Sequence, residues 1–176
     1  MSERREITIL DPAKRLEAEN SGVSRLKMSV WYDPEIPSDS QFGENLTKVL
    51  LAIGCNLITE DGILRTPEGI IPGQDIRYAT RKMFKNADLV HVVLSRLSMS
   101  SRSSLYMPGL RGLHEVSDMQ VPENIFVVPI KLDDTPLPNM FSGLTSLDLF
   151  QNDYRSLGSR LLKTWQVAAK QRGYNK

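Results

Sequence analysis

The sequence predicts an α/β domain in which a doubly wound parallel sheet carries helices on both faces. Three observations predict it. The stretches "LVHVVLS" (89–95) and "NIFVVPIKL" (124–132) are nearly continuous apolar runs of strand length, as parallel strands covered on both sides require. Other segments repeat their apolar residues at helical intervals. The two patterns alternate along the chain, the order expected of strands joined by crossover helices.

Each element has its own local reason. In "DPAKRLEAENSG" (11–22), Asp11 can cap, Pro12 suits a first helical position, Ala13 and Leu16 share a face, and Gly22 can end the turn. Residues 1–25 thus read as a charged arm with a short helix, laid on a domain spanning 26–172. "LKMSVWY" (26–32) is strand-like. In "SDSQFGENLTKVLLAIG", Ser38 and Gln41 have capping-box spacing, while Phe42, Leu46, Val49, Leu50 and Ile53 form one apolar stripe that Gly54 closes. "CNLIT" (55–59) is a short strand and "EDGILRTPEGIIPGQD" (60–75) a long loop punctuated by Gly and Pro. The next helix places Ile76, Ala79, Thr80, Met83 and Phe84 on one side. After the run at 89–95 comes a serine-rich loop, "RLSMSSRSSLYM", and then a helix that begins near Pro108. "SLDLF" (146–150) is the last strand, and Tyr154, Leu157, Leu161, Leu162 and Trp165 mark the last helix. Ligands of such sheets bind beyond the carboxyl ends of the strands.

Composition excludes several classes of function. Of 176 residues 40% are hydrophobic, enough for one domain with a core. Lys+Arg of 22 against Asp+Glu of 21 gives a net charge of +1, so no global field favours nucleic acid or an anionic membrane. One cysteine, Cys55, cannot form an internal disulfide, and no apolar run reaches membrane-spanning length. The expectation is a cytoplasmic protein.

"GIIPGQDIRYATRKMFKNADLVHVVLS", followed by "PENIFVVPIKLDDTPLP" and "LTSLDLF", resembles in that order the BB loop, helix and later strands of bacterial-type Toll/interleukin-1 receptor (TIR) domains; the likeness covers residues 26 to about 170. The resemblance implies a flavodoxin-like, five-stranded parallel sheet. It also implies that the BB loop, here Ile70, Ile71, Pro72, Gly73, Gln74 and Asp75, contacts other TIR domains head to tail. Many family members cleave the glycosidic bond of NAD+, using one glutamate on the helix after the central strand to stabilise the cationic ribose.

This chain departs from that pattern. The glutamate's position falls on Pro108, Gly109 or Leu110, and the next carboxylate, Glu115, lies well around the helix axis. The exit of the first strand, "WYDPEIPSDS", is bulkier than the family's small polar loop, and Ile76 stands where an aromatic residue often follows the BB loop. Two readings follow. In the first, the chain is a non-catalytic TIR module of immune or stress signalling that assembles through its BB loop and requires no cofactor, with Trp31, Asp33, Ser95 and Arg102 as candidates to hold an NAD+-type nucleotide. In the second, it is an NAD+ glycohydrolase or ADP-ribosyl cyclase with Glu115, or an acid from a neighbouring subunit, as the substitute.

The remaining polar residues have simpler readings. His91 reads as a strand side chain satisfied by a neighbour and, with no partner at ligand spacing, implies no metal. Cys55 reads as core packing. Arg77, Arg81, Lys82 and Lys85 read as the solvated face of their helix, and His114 with Glu115 as solvated too.

Overall fold

A computed structural model describes residues 9–57, 75–100, 106–151 and 154–174. Its strands are β1 (Lys27–Trp31), β2 (Asn56–Leu57), β3 (Leu89–Leu94), β4 (Val127–Lys131) and β5 (Leu147–Asp148). They lie in the order β2-β1-β3-β4-β5 and every pairing is parallel. β1, β3 and β4 form the frame, while β2 and β5 contribute two residues each at the edges. The helices are α1 (Pro12–Asn20), α2 (Pro37–Ala52), α3 (Ile76–Phe84), α4 (Arg96–Met99), α5 (Tyr106–Asp118) and α6 (Tyr154–Gln171).

Two apolar cores sandwich this sheet, as the alternation of strand and helix patterns requires. On one face α1, α2 and α6 bury Ala18, Phe42, Leu46, Leu50, Leu161 and Trp165 against Met28, Val30 and Val93. On the other, α3 and α5 bury Phe84, Leu110, Leu113 and Val116 against Trp31, Val90 and Val92. All six residues of β3 are buried, which explains its unbroken apolar run. Pro129, inside β4, lacks a ladder donor but precedes the part of the strand that pairs with β5, which begins at Ile130.

The described part of the N-terminal arm belongs to the same core. Ile9, Leu10 and Val23 are buried with α2 and α6. Gly158 of α6 permits the approach, because a Cβ there would stand 1.8 Å from the Ile9 carbonyl oxygen. Asp11 caps α1 by accepting from Lys14 N at 2.9 Å, and Pro12 opens the helix, both as expected. The expected face does not hold, since Leu16 is 59% exposed, Ala13 is exposed, and Ala18 makes the buried contact.

Two further expectations are corrected. α2 has no capping box; it starts at Pro37 after Ile36, which provides no side-chain cap. Proline's fixed φ and missing N–H suit the first helical position, so the helix begins two residues early and the Ser38 hydroxyl donates instead to Asp39 Oδ1 at 3.0 Å. Residues 96–99 of the serine-rich loop are helical, because the Ser95 and Ser98 side chains reciprocally cap α4.

Candidate functional site

The carboxyl ends of β1 and β3 gather the polar groups that the core excludes. β1 continues through Tyr32 and Asp33 into α2, whose first turn carries Asp39. β3 ends at Ser95, and Tyr106 opens α5. Asp33, Asp39 and Ser98 are each 0% exposed, Tyr106 is equally buried, and Ser95 is 4% exposed. Ser95 Oγ donates to Asp39 Oδ2 at 2.9 Å, which ties α2 to the end of the neighbouring strand. Tyr106 donates its hydroxyl to the Val93 carbonyl at 2.7 Å. Asp33 Oδ1 accepts from Glu35 N at 3.0 Å, while its Oδ2 has no hydrogen-bond partner.

These groups feel one another. Burial pushes Asp39 above the usual carboxylate range, the hydroxyls of Ser95, Ser38 and Ser98 pull the other way, and the like charge of Asp33 pushes it up further. Burial also raises the Tyr106 hydroxyl, and the nearby carboxylates of Asp39 and Asp33 add to that rise. Among the described residues no Lys, Arg or His forms an ion pair with either aspartate. The sequence gives no acid at the start of α5, yet the fold brings two carboxylates close to its first residue, Tyr106.

Trp31 and Ser95 lie at this place, but neither is presented to an open cleft. The Trp31 indole is 1% exposed, donates through Nε1 to the Tyr106 carbonyl at 3.2 Å, and meets the Phe84 ring edge-on at 5.3 Å. Gly109 lies against it, since a Cβ on Gly109 would stand 1.8 Å from Trp31 Cζ2. The space beside the first turn of α5 is therefore filled by the protein's own aromatic side chain. Arg102 and the loop residues Ile70, Ile71, Pro72, Gly73 and Gln74 lie outside the described residues. Asp75 is exposed and caps α3, accepting from Tyr78 N at 3.2 Å.

Glu115 is engaged elsewhere. On α5 its carboxylate pairs with Arg77 and, at 3.0 Å, with Arg81, both on α3, so it serves the packing of these two helices. His114 lies 3.7 Å from Asp118 one turn on. His91 is fully buried: its Nδ1 is 3.0 Å from the Ser29 carbonyl and its Nε2 accepts from Trp165 Nε1 at 2.9 Å. Donation by Nδ1 satisfies both ring nitrogens, and burial holds the ring neutral with a pKa of about 4. Cys55 is buried, its thiol pushed up to about 12 by that burial. Sequence reasoning missed Asp39, Ser98 and Tyr106; the available signal was an acid in the first turn of the helix that follows the first strand.

A second feature lies away from the strand ends. A groove of about 550 Å³ runs along the amino-terminal half of β4 between the end of α5 and α6, and is lined by Val121, Pro122, Leu144, Leu147, Arg160 and Lys163. β4 pairs with β3 from Val127 onward but with β5 only at Ile130 and Lys131, so among the described residues Val127–Pro129 forms an open strand edge. Met119, Val121 and Leu144 on its flank are 67%, 56% and 38% exposed.

No protein-family model matches the chain, and no curated protein matches it significantly.

Proposed function

We propose that the chain is a non-catalytic TIR-type interaction module. The Trp31–Gly109 contact carries the reading: the TIR resemblance puts the cation-stabilising carboxylate at Pro108, Gly109 or Leu110, none of which bears charge, and the indole fills the space beside Gly109. A barrier-lowering counter-charge must stand within a few ångströms of the developing cation. Asp33 and Asp39 are sealed from solvent and Glu115 is held by two arginines, so none has the exposure that role needs. The strand order β2-β1-β3-β4-β5 is that of flavodoxin-like sheets, which agrees with the TIR resemblance.

The work left to such a module is assembly, and one described surface and one stretch of sequence of opposite charge support it. The segment 60–75 carries Glu60, Asp61, Glu68 and Asp75 among Ile63, Leu64, Ile70 and Ile71. Among the described residues, the groove beside β4 offers an apolar wall, an open strand edge and the cations Arg160 and Lys163, with Glu123 as the one acid. β2, which precedes the segment in the chain, is one edge strand of the sheet, and the groove flanks β4 and β5 at the other edge. A contact between unlike surfaces of successive copies propagates head to tail.

Purified protein, at concentrations from dilute to assembled, is incubated with NAD+ while nicotinamide release and sedimentation are followed. Concentration-dependent association without turnover is expected, weakened by Pro72→Ala. Turnover that Glu115→Gln abolishes would establish the hydrolase reading instead.

A further inference from the structure

The main-chain groups along the outer edge of β4 can be followed one by one, since each needs a partner. Val90 N donates to Phe126 O at 2.7 Å and Leu132 N to Leu94 O at 2.9 Å, so Phe126, Val128, Ile130 and Leu132 turn their main chain to β3. Val127, Pro129 and Lys131 turn theirs to the outer edge. By its register β5 takes the Pro129 carbonyl and the Lys131 N–H there, through Leu147. Further back, the last turn of α6 stands in for a strand. Gln171 donates through Nε2 to the Glu123 carbonyl and accepts from Ile125 N, both at 2.8 Å, and Arg172 donates to the Ile125 carbonyl at 2.8 Å. Proline has no N–H to place. The N–H and C=O of Val127 are left between these two guards, and among the described residues neither has a hydrogen-bond partner.

This gap opens on a cavity. Val127 lines the groove of about 550 Å³ beside β4. One donor and one acceptor on a single residue are what an antiparallel neighbour engages, by exchanging both bonds with the residue opposite. The side chains beside the gap fix what that neighbour carries. Val127 belongs to the core under α3 and α5, and Val128 to the core under α2 and α6. Residues opposite one another across strands share a face, and their neighbours take the other. A residue opposite Val127 thus turns towards the end of α5, where Val121 is 56% exposed, and the residues on either side of it turn towards α6. There Arg160 and Lys163 line the groove, exposed and, among the described residues, in no ion pair.

We propose that the groove binds an extended acidic peptide strand, whose central apolar residue exchanges two backbone hydrogen bonds with Val127 while the acids on either side of it meet Arg160 and Lys163. Main-chain bonds supply affinity and alternate side chains supply selectivity in this mode of recognition. The inference rests on the reading of this groove as the assembly surface, and adds that a neighbouring copy is read through its backbone as well as its charge.

The full chain is titrated with the blocked peptide acetyl-Gly-Glu-Ile-Glu-Gly-amide while amide shifts and hydrogen exchange are followed by NMR. In the free monomer the Val127 amide should exchange faster than those of Val128 and Ile130, which bond to β3, and saturating peptide should slow it by about tenfold or more. N-methylation of the Ile removes the donor that meets the Val127 carbonyl and should weaken binding by about tenfold. N-methylation of the second Glu, whose N–H points away from β4, should leave binding within about twofold. Arg160→Glu with Lys163→Glu should also weaken it. The proposal is overturned if the Val127 amide is already protected in the free monomer, if the peptide does not bind or binds without slowing that amide, or if the two N-methylated peptides behave alike. Self-association that leaves the Val127 amide unprotected overturns the strand contact and keeps the assembly reading. The expected peptide pattern in a protein that never self-associates keeps the strand contact and removes the assembly reading.

Discussion

Gly109 lies against the indole of Trp31, and the two residues define each other: a Cβ on Gly109 would stand 1.8 Å from Cζ2 and 2.5 Å from Cε2 of the ring. The indole is fixed by Tyr106 and Phe84 and cannot retreat without breaking a hydrogen bond and an aromatic contact. Gly109→Ala is therefore expected to destabilise the fold by about 2–3 kcal/mol, the range of overpacked cores. In a Trp31→Leu background the same change should cost far less. Chemical denaturation of the four proteins of this cycle measures the coupling, and additive effects would refute the packing account.

His91 gives a pH dependence whose sign is fixed by its pKa of about 4 against an ordinary 6.5. Between these values the unfolded chain binds a proton that the folded one refuses. The stabilisation is complete above pH 6.5 and is lost as pH falls towards 4, by about 3 kcal/mol in all. His91→Gln keeps a hydrogen-bonding side chain that does not titrate. Unfolding free energies measured from pH 7 to 4 should fall more steeply for wild type than for His91→Gln, and parallel curves would contradict the assignment.

The frame of the fold was legible for a physical reason: strands buried on both faces must be apolar throughout, so β3 and β4 announce themselves, and the stripes of α2, α3 and α6 follow from their single buried faces. The edges were less so. "SLDLF" predicts a strand over 146–150, whereas β5 is Leu147–Asp148 and a 3-10 turn takes Leu149–Gln151, because a strand needs a neighbour along its length and β4 ends at Lys131. At the candidate site Trp31, Asp33 and Ser95 were identifiable by their position at strand ends. Asp39 and Tyr106 were not, since their significance comes from contacts across 56 and 13 residues of chain. Nor could spacing reveal that Glu115 is taken by arginines on another helix.

The Ser95–Asp39 bond is the polar seam between the ends of β1 and β3. Ser95→Ala removes a donor from a fully buried carboxylate oxygen and loses one arm of the α4 cap. The expected loss is about 2–3 kcal/mol, above that of an exposed cap, because the acceptor cannot turn to water. Ser100→Ala, whose hydroxyl is exposed and bonds only to backbone carbonyls of its own turn, should cost less than about 0.5 kcal/mol. Equal losses in thermal or denaturant unfolding would place Ser95 outside any buried network.

The assembly surfaces can be tested by charge reversal, which separates recognition from folding. Arg160 and Lys163 are exposed on α6 and line the groove, so Arg160→Glu and Lys163→Glu should leave stability within about 0.5 kcal/mol of wild type. If the acidic segment 60–75 of a neighbouring copy docks beside them, the double variant should lose concentration-dependent association. Glu68→Lys introduced alone should do the same, whereas the double variant mixed with Glu68→Lys should form heterotypic complexes, because opposite charges then face each other again. The contact should weaken with added salt, in keeping with a rim interaction within a Debye length of solvent. Sedimentation of the three proteins and their mixtures measures it. Self-association untouched by both reversals would move the interface away from this groove, and loss without recovery in the mixture would break the link between groove and segment.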